Sequence, residues 1–281
     1  MEEKSIKTRG LKTVWIGNSK PSQPIILFLH GFPDTPETWK NQLEYFAKDY
    51  EVVAPYTRGV GPSEKPKDSQ RHSTHSLALD YIEILKKVDP SLERPIFVVG
   101  HDIGAAHAWT LVEMLGSKVH GVCLIDGMPL RVMLRRLKNY PQLIKSWYIW
   151  LAQVPFLSDG LSFVGQKKFI DLAHWLGGLQ EPSVSNSAKS SQAFMNSIMQ
   201  YKKFFRSIPS QWIMPKQCID VPVLVVWGNS DRLVNVPCKE DFAGFASNVN
   251  IRQVKANHWP HVVLPEVVNG VMGEFFERGR L

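Results

Sequence analysis

Ile96–Gly104 reads I-F-V-V-G-H-D-I-G, and the reading of this stretch decides the fold. Ile96 to Val99 are apolar and partly β-branched, which suits a strand buried on both faces. The chain then turns abruptly at Gly100-His101-Asp102-Ile103-Gly104, and Ala105–Leu115 has the pattern of a helix. Strand, Gly-flanked turn and helix together form a nucleophile elbow, in which one strained residue presents its side chain above the sheet edge. The glycines let the backbone close up where a Cβ would clash. Such an elbow usually carries serine. Here it carries Asp102.

Working outward, the same alternation recurs. Ser5–Lys7 and Lys12–Ile16 flank Arg9-Gly10 as an opening hairpin. Pro24–Leu29 is a buried strand that runs into the loop His30-Gly31-Phe32-Pro33-Asp34. Thr35–Asp49 follows as an amphipathic helix, with Trp39, Leu43 and Phe46 on one face. Glu51–Ala54 is a strand, Thr57–Lys67 a loop, and Ser73–Val88 a helix. His120–Ile125 is another buried strand, closing on Asp126. Strands alternating with helices imply a mostly parallel, doubly wound sheet with right-handed crossovers.

From Met128 to Trp212 that rhythm breaks. The stretch offers no convincing strand, and helical patterns lie near 130–138, 141–153 and 190–206. The rhythm returns with Val221–Trp227, a helix near 238–246, a strand near 249–254 and a last helix from about Pro265. The expected organisation is a core of residues 1–127 and 213–281 carrying a helical cap, residues 128–212.

The 281 residues are 44% apolar, a globular composition. No apolar run reaches the roughly 18 residues of a membrane span, and MEEKSIKTRG lacks the apolar core of a secretory signal. Cys123, Cys218 and Cys238 are odd in number and form no C-x-x-C, as expected of reduced thiols in a cytoplasmic protein. The net charge is +7, and residues 128–212 carry 11 Lys and Arg against 3 Asp and Glu. No reader motif accompanies that basic excess, so it is expected to be a solvated face and not a nucleic-acid surface. No cluster has metal-ligand spacing and no Gly-rich phosphate cradle appears, so neither metal nor cofactor is expected.

Ligands of open α/β sheets bind beyond the carboxyl ends of the strands. Asp102, Asp126, Asp231 in W-G-N-S-D and His258 in A-N-H-W-P-H all fall there. The order nucleophile, acid, base is that of hydrolase triads built on such an elbow. A carboxylate nucleophile suits displacement at carbon and gives an ester on Asp102. An attacking serine would give an ether, which water does not readily cleave. His258 can then activate water against the ester carbonyl, with its tautomer fixed by the acid. The developing oxyanion calls for donors, and the N–H groups of Ile103 and of Phe32 in the H-G-F-P loop are placed to serve.

H-G-F-P-D with Trp39, R-G-V-G-P-S, G-H-D-I-G, W-G-x-x-D and N-H-W-P together resemble the α/β-hydrolase superfamily, from about Lys4 to Glu277. Within it they resemble the branch of soluble epoxide hydrolases and haloalkane dehalogenases. That resemblance implies an inserted cap over an α/β-hydrolase core and a small hydrophobic epoxide as substrate, with water. It also implies two cap tyrosines that hydrogen-bond the epoxide oxygen, Tyr148 in Ser146-Trp147-Tyr148 and Tyr201, with Trp150 on the pocket wall. Asp231 is the implied acid, although some relatives take it from the end of the preceding strand, where Asp126 stands. Ile103 replaces the halide-cradling tryptophan of haloalkane dehalogenases, and it departs also from the tryptophan common in epoxide hydrolases, so the pocket floor is expected to differ. Ile103 and Ala106 likewise break the paired arginines of fluoroacetate dehalogenases. Tyr56 and Val60 depart from the D-x-R-G-Y-G-x-S loop of the branch. Epoxide opening is therefore the expected reaction, with dehalogenation by the same ester chemistry as the alternative. A non-catalytic ligand-binding protein on the same fold is the rival from outside enzymology. His261 rivals His258 as base but is expected at a helix entry, and His30 and His101 are expected as buried, hydrogen-bonded histidines.

Overall fold

The computed structural model describes residues 1–66, 69–136, 171, 174–178, 206 and 218–279. Eight strands form one sheet: β1 (Glu2–Thr8), β2 (Leu11–Gly17), β3 (Ile25–Leu29), β4 (Glu51–Pro55), β5 (Ile96–His101), β6 (Val119–Ile125), β7 (Val223–Gly228) and β8 (Val249–Val254). Their spatial order is β1-β2-β4-β3-β5-β6-β7-β8. The β1–β2 and β2–β4 pairings are antiparallel, and all the others are parallel. This is the α/β-hydrolase fold that the sequence pattern implied.

Alternation along each strand sends neighbouring side chains to opposite faces, and both faces are covered. Ile25, Leu27, Ile96, Val98, Val122, Leu124, Val223 and Val225 share one apolar cluster. It is closed by Leu77, Tyr81 and Leu85 of α2 (Thr74–Val88) and by Ala108, Leu111 and Val112 of α3 (Ile103–Leu115). Ile26, Phe28, Phe97, Val99, Cys123, Ile125, Leu224 and Val226 point the other way. They meet Leu43 and Phe46 of α1 (Lys40–Phe46) and Val268, Met272 and Phe276 of the C-terminal helix Pro265–Arg278. Burial on both faces is what the unbroken apolar runs require.

Most expected elements appear with shifted ends, and two differ for visible reasons. The helix expected over 35–49 divides into a 3-10 turn, Pro36–Trp39, followed by α1. Trp39 sits at the junction with ψ near 7°, and its fully buried indole packs on His261 at 4.4 Å between ring centroids. The helix expected over 238–246 is only the 3-10 turn Lys239–Phe242. Gly244 then turns at φ +79°, and Ala246 is drawn into a bridge with Ile219. By contrast α2 begins where its sequence says, with the Ser73 hydroxyl accepting from the Ser76 N–H.

The stretch expected as a cap, residues 128–212, opens with α4 (Leu130–Arg136), whose Arg136 pairs with the buried Asp241. The helical patterns at 141–153 and, apart from Arg206, at 190–206 lie outside the described residues, and with them Tyr148, Trp150 and Tyr201.

α3 is seated against the sheet so closely that Gly104 has no room for a side chain. A Cβ there would stand inside contact distance of the Leu29 carbonyl oxygen and 2.6 Å from that of His30. Because backbone and not a movable side chain is in the way, Gly104→Ala should lose about 1–3 kcal/mol of unfolding free energy by denaturant titration. An unchanged midpoint would mean that α3 does not sit this close.

Candidate active site

The elbow geometry puts Asp102 at the end of β5 with φ 50° and ψ −121°. A left-handed conformation at a non-glycine residue is strained and persists only where its surroundings over-determine it. Here the Asp102 N–H donates to the Ile125 carbonyl at 3.1 Å, while its carbonyl accepts from Ala105 at 3.0 Å. The side chain is thereby aimed off the sheet edge and keeps 14% of its surface open. Its Oδ2 accepts from the Phe32 N–H at 3.0 Å, and the Ile103 N–H, next in the chain, favours the charge on the same carboxylate. Both backbone donors singled out in the sequence therefore converge on one carboxylate.

His258 comes from the loop after β8. Its Nε2 lies 3.9 Å from Asp102 Oδ1, and its Nδ1 is 2.9 Å from Asp231 Oδ2. Asp231 is itself fixed by the N–H groups of Leu233 at 2.7 Å and Val234 at 3.1 Å, which bond its other oxygen. Asp126, the rival acid, ends β6 and accepts from the Gly228 N–H at 3.0 Å. The carboxylate against the imidazole is thus that of Asp231, and Asp126 stands behind it.

Charge is unevenly shared among these groups. Burial pushes the Asp102 carboxyl up from the ordinary range, only partly offset by His258. Burial and the Asp231 charge push Asp126 well above that range, so Asp126 is held neutral. Asp231 goes the other way: burial opposes its charge, but His258 and the two backbone donors bring its carboxyl below the ordinary range. On His258, burial disfavours the imidazolium, and the surrounding carboxylates, Asp231 first, overcome this and raise it to about 10. One neutral acid, one ionised acid and an imidazolium make a self-consistent cluster. Asp126, Asp231 and His258 are the one trio among the described residues with ligand atoms mutually within 4.8 Å. Their oxygens already accept from Gly228, Leu233, Val234 and His258, so the trio holds protons and is not laid out as a cation cage.

The other histidines singled out in the sequence, His30, His101 and His261, are buried and engaged. His30 reaches Thr57 through Nε2 at 3.0 Å, and His261 Nε2 meets Thr38 Oγ1 at 3.0 Å. His101 Nε2 bonds the carbonyl of His258 at 2.8 Å. Tyr56 accounts for the departure in its loop, because its phenol donates to Glu37 at 2.7 Å away from Asp102. Two features escaped the sequence reading. Asp34 is buried among His101, His174 and Trp259; burial opposes its charge, but the two histidines hold its carboxyl well below the ordinary range. The segment His174–Gly178 packs on the loop of His258. Nothing in the local sequence of either announces a partner so distant in the chain.

A sheet of this order with an acid elbow at its carboxyl edge defines an α/β hydrolase, and comparison with known proteins agrees. The family model described as "alpha/beta hydrolase fold" matches residues 24–266. The chain belongs to that family. It is 25% identical over 287 residues to Epoxide hydrolase 4 of Homo sapiens, covering 97% of this chain and 77% of that one. It is 23% identical over 291 residues to Epoxide hydrolase 1 of Caenorhabditis elegans, covering 99% and 70%. Among solved structures, an epoxide hydrolase of Bacillus megaterium with a bound inhibitor superposes with a TM-score of 0.80 at 23% identity, covering 98% of this chain and all of that one. A putative acyltransferase of Salmonella enterica superposes equally well, at 0.83 and 19% identity over 98% and 95% of the two chains. The fold alone therefore does not select the reaction.

The charge distribution makes a prediction about the two acids. With Asp126 neutral, Asp126→Asn keeps an acceptor for Gly228 and a donor toward Asp231, so turnover should stay within about threefold of wild type. Asp231→Asn removes the charge that orients and stabilises the imidazolium and should cost on the order of a thousandfold or more in kcat. The stability sign follows from the raised Asp126 carboxyl. Its contribution is complete below the unfolded carboxyl value and declines as pH rises toward the folded one. Asp126→Asn should lack that decline, so its Tm should gain on the wild type as pH is raised from about 3.8. The reverse ranking of the two variants in turnover would move the acid to Asp126.

Proposed function

We propose that this chain is an epoxide hydrolase that opens an epoxide to a vicinal diol through an ester on Asp102. One observation carries the reading: a carboxylate, not a hydroxyl, occupies the elbow, with Phe32 N–H at 3.0 Å and His258 Nε2 at 3.9 Å. Similarity to proteins named epoxide hydrolase along nearly the whole chain supports it.

The ionised Asp102 attacks an epoxide carbon, and the ring C–O bond breaks. The released alkoxide is a poor leaving group and takes a proton from Tyr148 or Tyr201, which are assigned here as phenol donors from the cap. The product of this step is a hydroxyalkyl ester. Esterification also removes the Asp102 charge, one of those that hold His258 as imidazolium. The pKa of His258 falls, its proton passes through solvent to the tyrosinate left by ring opening, and the neutral imidazole becomes available as a base in the step that needs one. It then takes a proton from water as that water attacks the ester carbonyl. The tetrahedral oxyanion is received by the N–H groups of Phe32 and Ile103. Collapse expels the diol, protonated by His258, and the second proton of the attacking water then passes from the Asp102 carboxyl to the imidazole, which restores carboxylate and imidazolium with one carboxylate oxygen from water. Trp150 is assigned to the pocket wall, and the substrate is a small hydrophobic epoxide.

The test is a panel of styrene oxide, hexene oxide and an epoxystearate scored for diol, beside bromoalkanes scored for bromide. Diol from an epoxide without bromide release is expected, and bromide release without diol would assign the chain to dehalogenation. Tyr148→Phe and Tyr201→Phe should each slow ester formation by about a hundredfold with little change in binding. Tyr140→Phe serves as the control. Wild-type rates in both variants would remove the phenol donors from the reaction.

A further inference from the structure

His258 is not carried by a strand. β8 ends at Val254, and the base stands four residues further on, in a loop. The Asp231 bond fixes its ring at Nδ1 but says nothing of what fixes its backbone. The inserted segment does this. The His258 N–H donates to the Gly177 carbonyl at 3.2 Å. Asn257 Nδ2 donates to the Gly178 carbonyl at 2.7 Å, while Asn257 Oδ1 accepts from the Trp259 N–H at 2.8 Å. The Trp259 indole lies against Gly177 and packs on the His174 ring, with centroids 5.1 Å apart. Three residues of the insertion, His174, Gly177 and Gly178, grip three consecutive residues of the base loop.

We infer that Gly177 is a positioning residue for the base His258, and that its lack of a side chain is what allows the insertion to hold that residue. The inference rests on the Asp102 ester reading above. A Cβ at position 177 would run into Cζ3 of Trp259 and stand 2.8 Å from Cη2. The indole has nowhere to go. It is 1% exposed, and its Nε1–H is tied at 2.9 Å to Asp34 Oδ2, whose other oxygen lies 3.6 Å from His174 Nε2. Relief must come from the backbone, which means moving the Gly177 carbonyl or the Trp259 main chain. Either one displaces His258.

The two chemical steps feel such a displacement differently. Ester formation uses Asp102, its two backbone donors and the phenols assigned above, and does not use the imidazole as a base. Ester hydrolysis needs the imidazole at the attacking water, and a misplacement of about 1 Å in such a group can cost about a hundredfold. Gly177→Ala should therefore form the ester at nearly the wild-type rate and hydrolyse it ten to a hundred times more slowly, on the order of that misplacement cost. General loosening of the fold would slow both steps alike.

The experiment measures both half-reactions by intact mass, using whichever of styrene oxide, hexene oxide and an epoxystearate the wild type turns over fastest, with His258→Gln as reference. Accumulation of adduct in Gly177→Ala, as in His258→Gln, is expected. Shortening the clashing ring should undo it, so Gly177→Ala should matter less in a Trp259→Phe background than in the wild type. Asn257→Ala, which removes the bond to Gly178, should accumulate adduct as well and serves if Gly177→Ala does not fold. Wild-type hydrolysis in the folded Gly177→Ala or Asn257→Ala protein, while His258→Gln accumulates adduct, would overturn the positioning role and leave the ester reading standing. Absence of adduct in His258→Gln would overturn both.

Discussion

A carboxylate stands at a buried, left-handed turn, and the surrounding structure is arranged around it. The φ of 50° at Asp102 is maintained from both sides, by the Ile125 carbonyl of the neighbouring strand and by the first turn of α3. Burial alone would favour the neutral acid. The N–H groups of Phe32 and Ile103 and the imidazolium of His258 supply the opposing field. The close seating of Gly104 on the Leu29 and His30 carbonyls belongs to the same device, because it brings the N-terminus of α3 up to the elbow.

The second device is the division of labour between two buried acids. Asp231 and Asp126 stand close enough that ionising both would set like charges together, and the structure resolves this by giving them different surroundings. Asp231 receives His258 and two backbone N–H groups and stays ionised. Asp126 receives one backbone N–H and is held neutral. Two acids that both end strands are thus told apart by their donors, not by their place in the sheet.

That distinction explains what could be read in the sequence. The apolar runs at 25–29, 96–99, 122–125 and 223–227 are uninterrupted and bounded by turn residues, so their strands and the sheet class were legible. The elbow was legible because its glycines and its acid are contiguous. The Phe32 and Ile103 donors followed from their positions on either side of that elbow. The choice between Asp126 and Asp231 was not decided by the residues alone, since both end strands and only the folded distances separate them. Asp34 and Gly177 were invisible for a related reason. Their partners, Trp259 and His258, lie far along the chain, and a buried Asp–Trp bond or a missing Cβ has no local signature. The short turn at Lys239–Phe242 was over-read as a helix because local apolar spacing does not register the bridge that captures Ala246.

The central claim is that Asp102 becomes covalently bound during turnover, and the oxygen it gives up reports this most directly. The enzyme is placed in excess over an epoxide that it opens, in heavy-oxygen water, and stopped after one turnover. The peptide containing Asp102 and the diol are then weighed. The account predicts that the heavy oxygen enters the Asp102 carboxylate and that the first diol carries none. A first diol that takes its oxygen directly from the solvent, with Asp102 unlabelled, would contradict it.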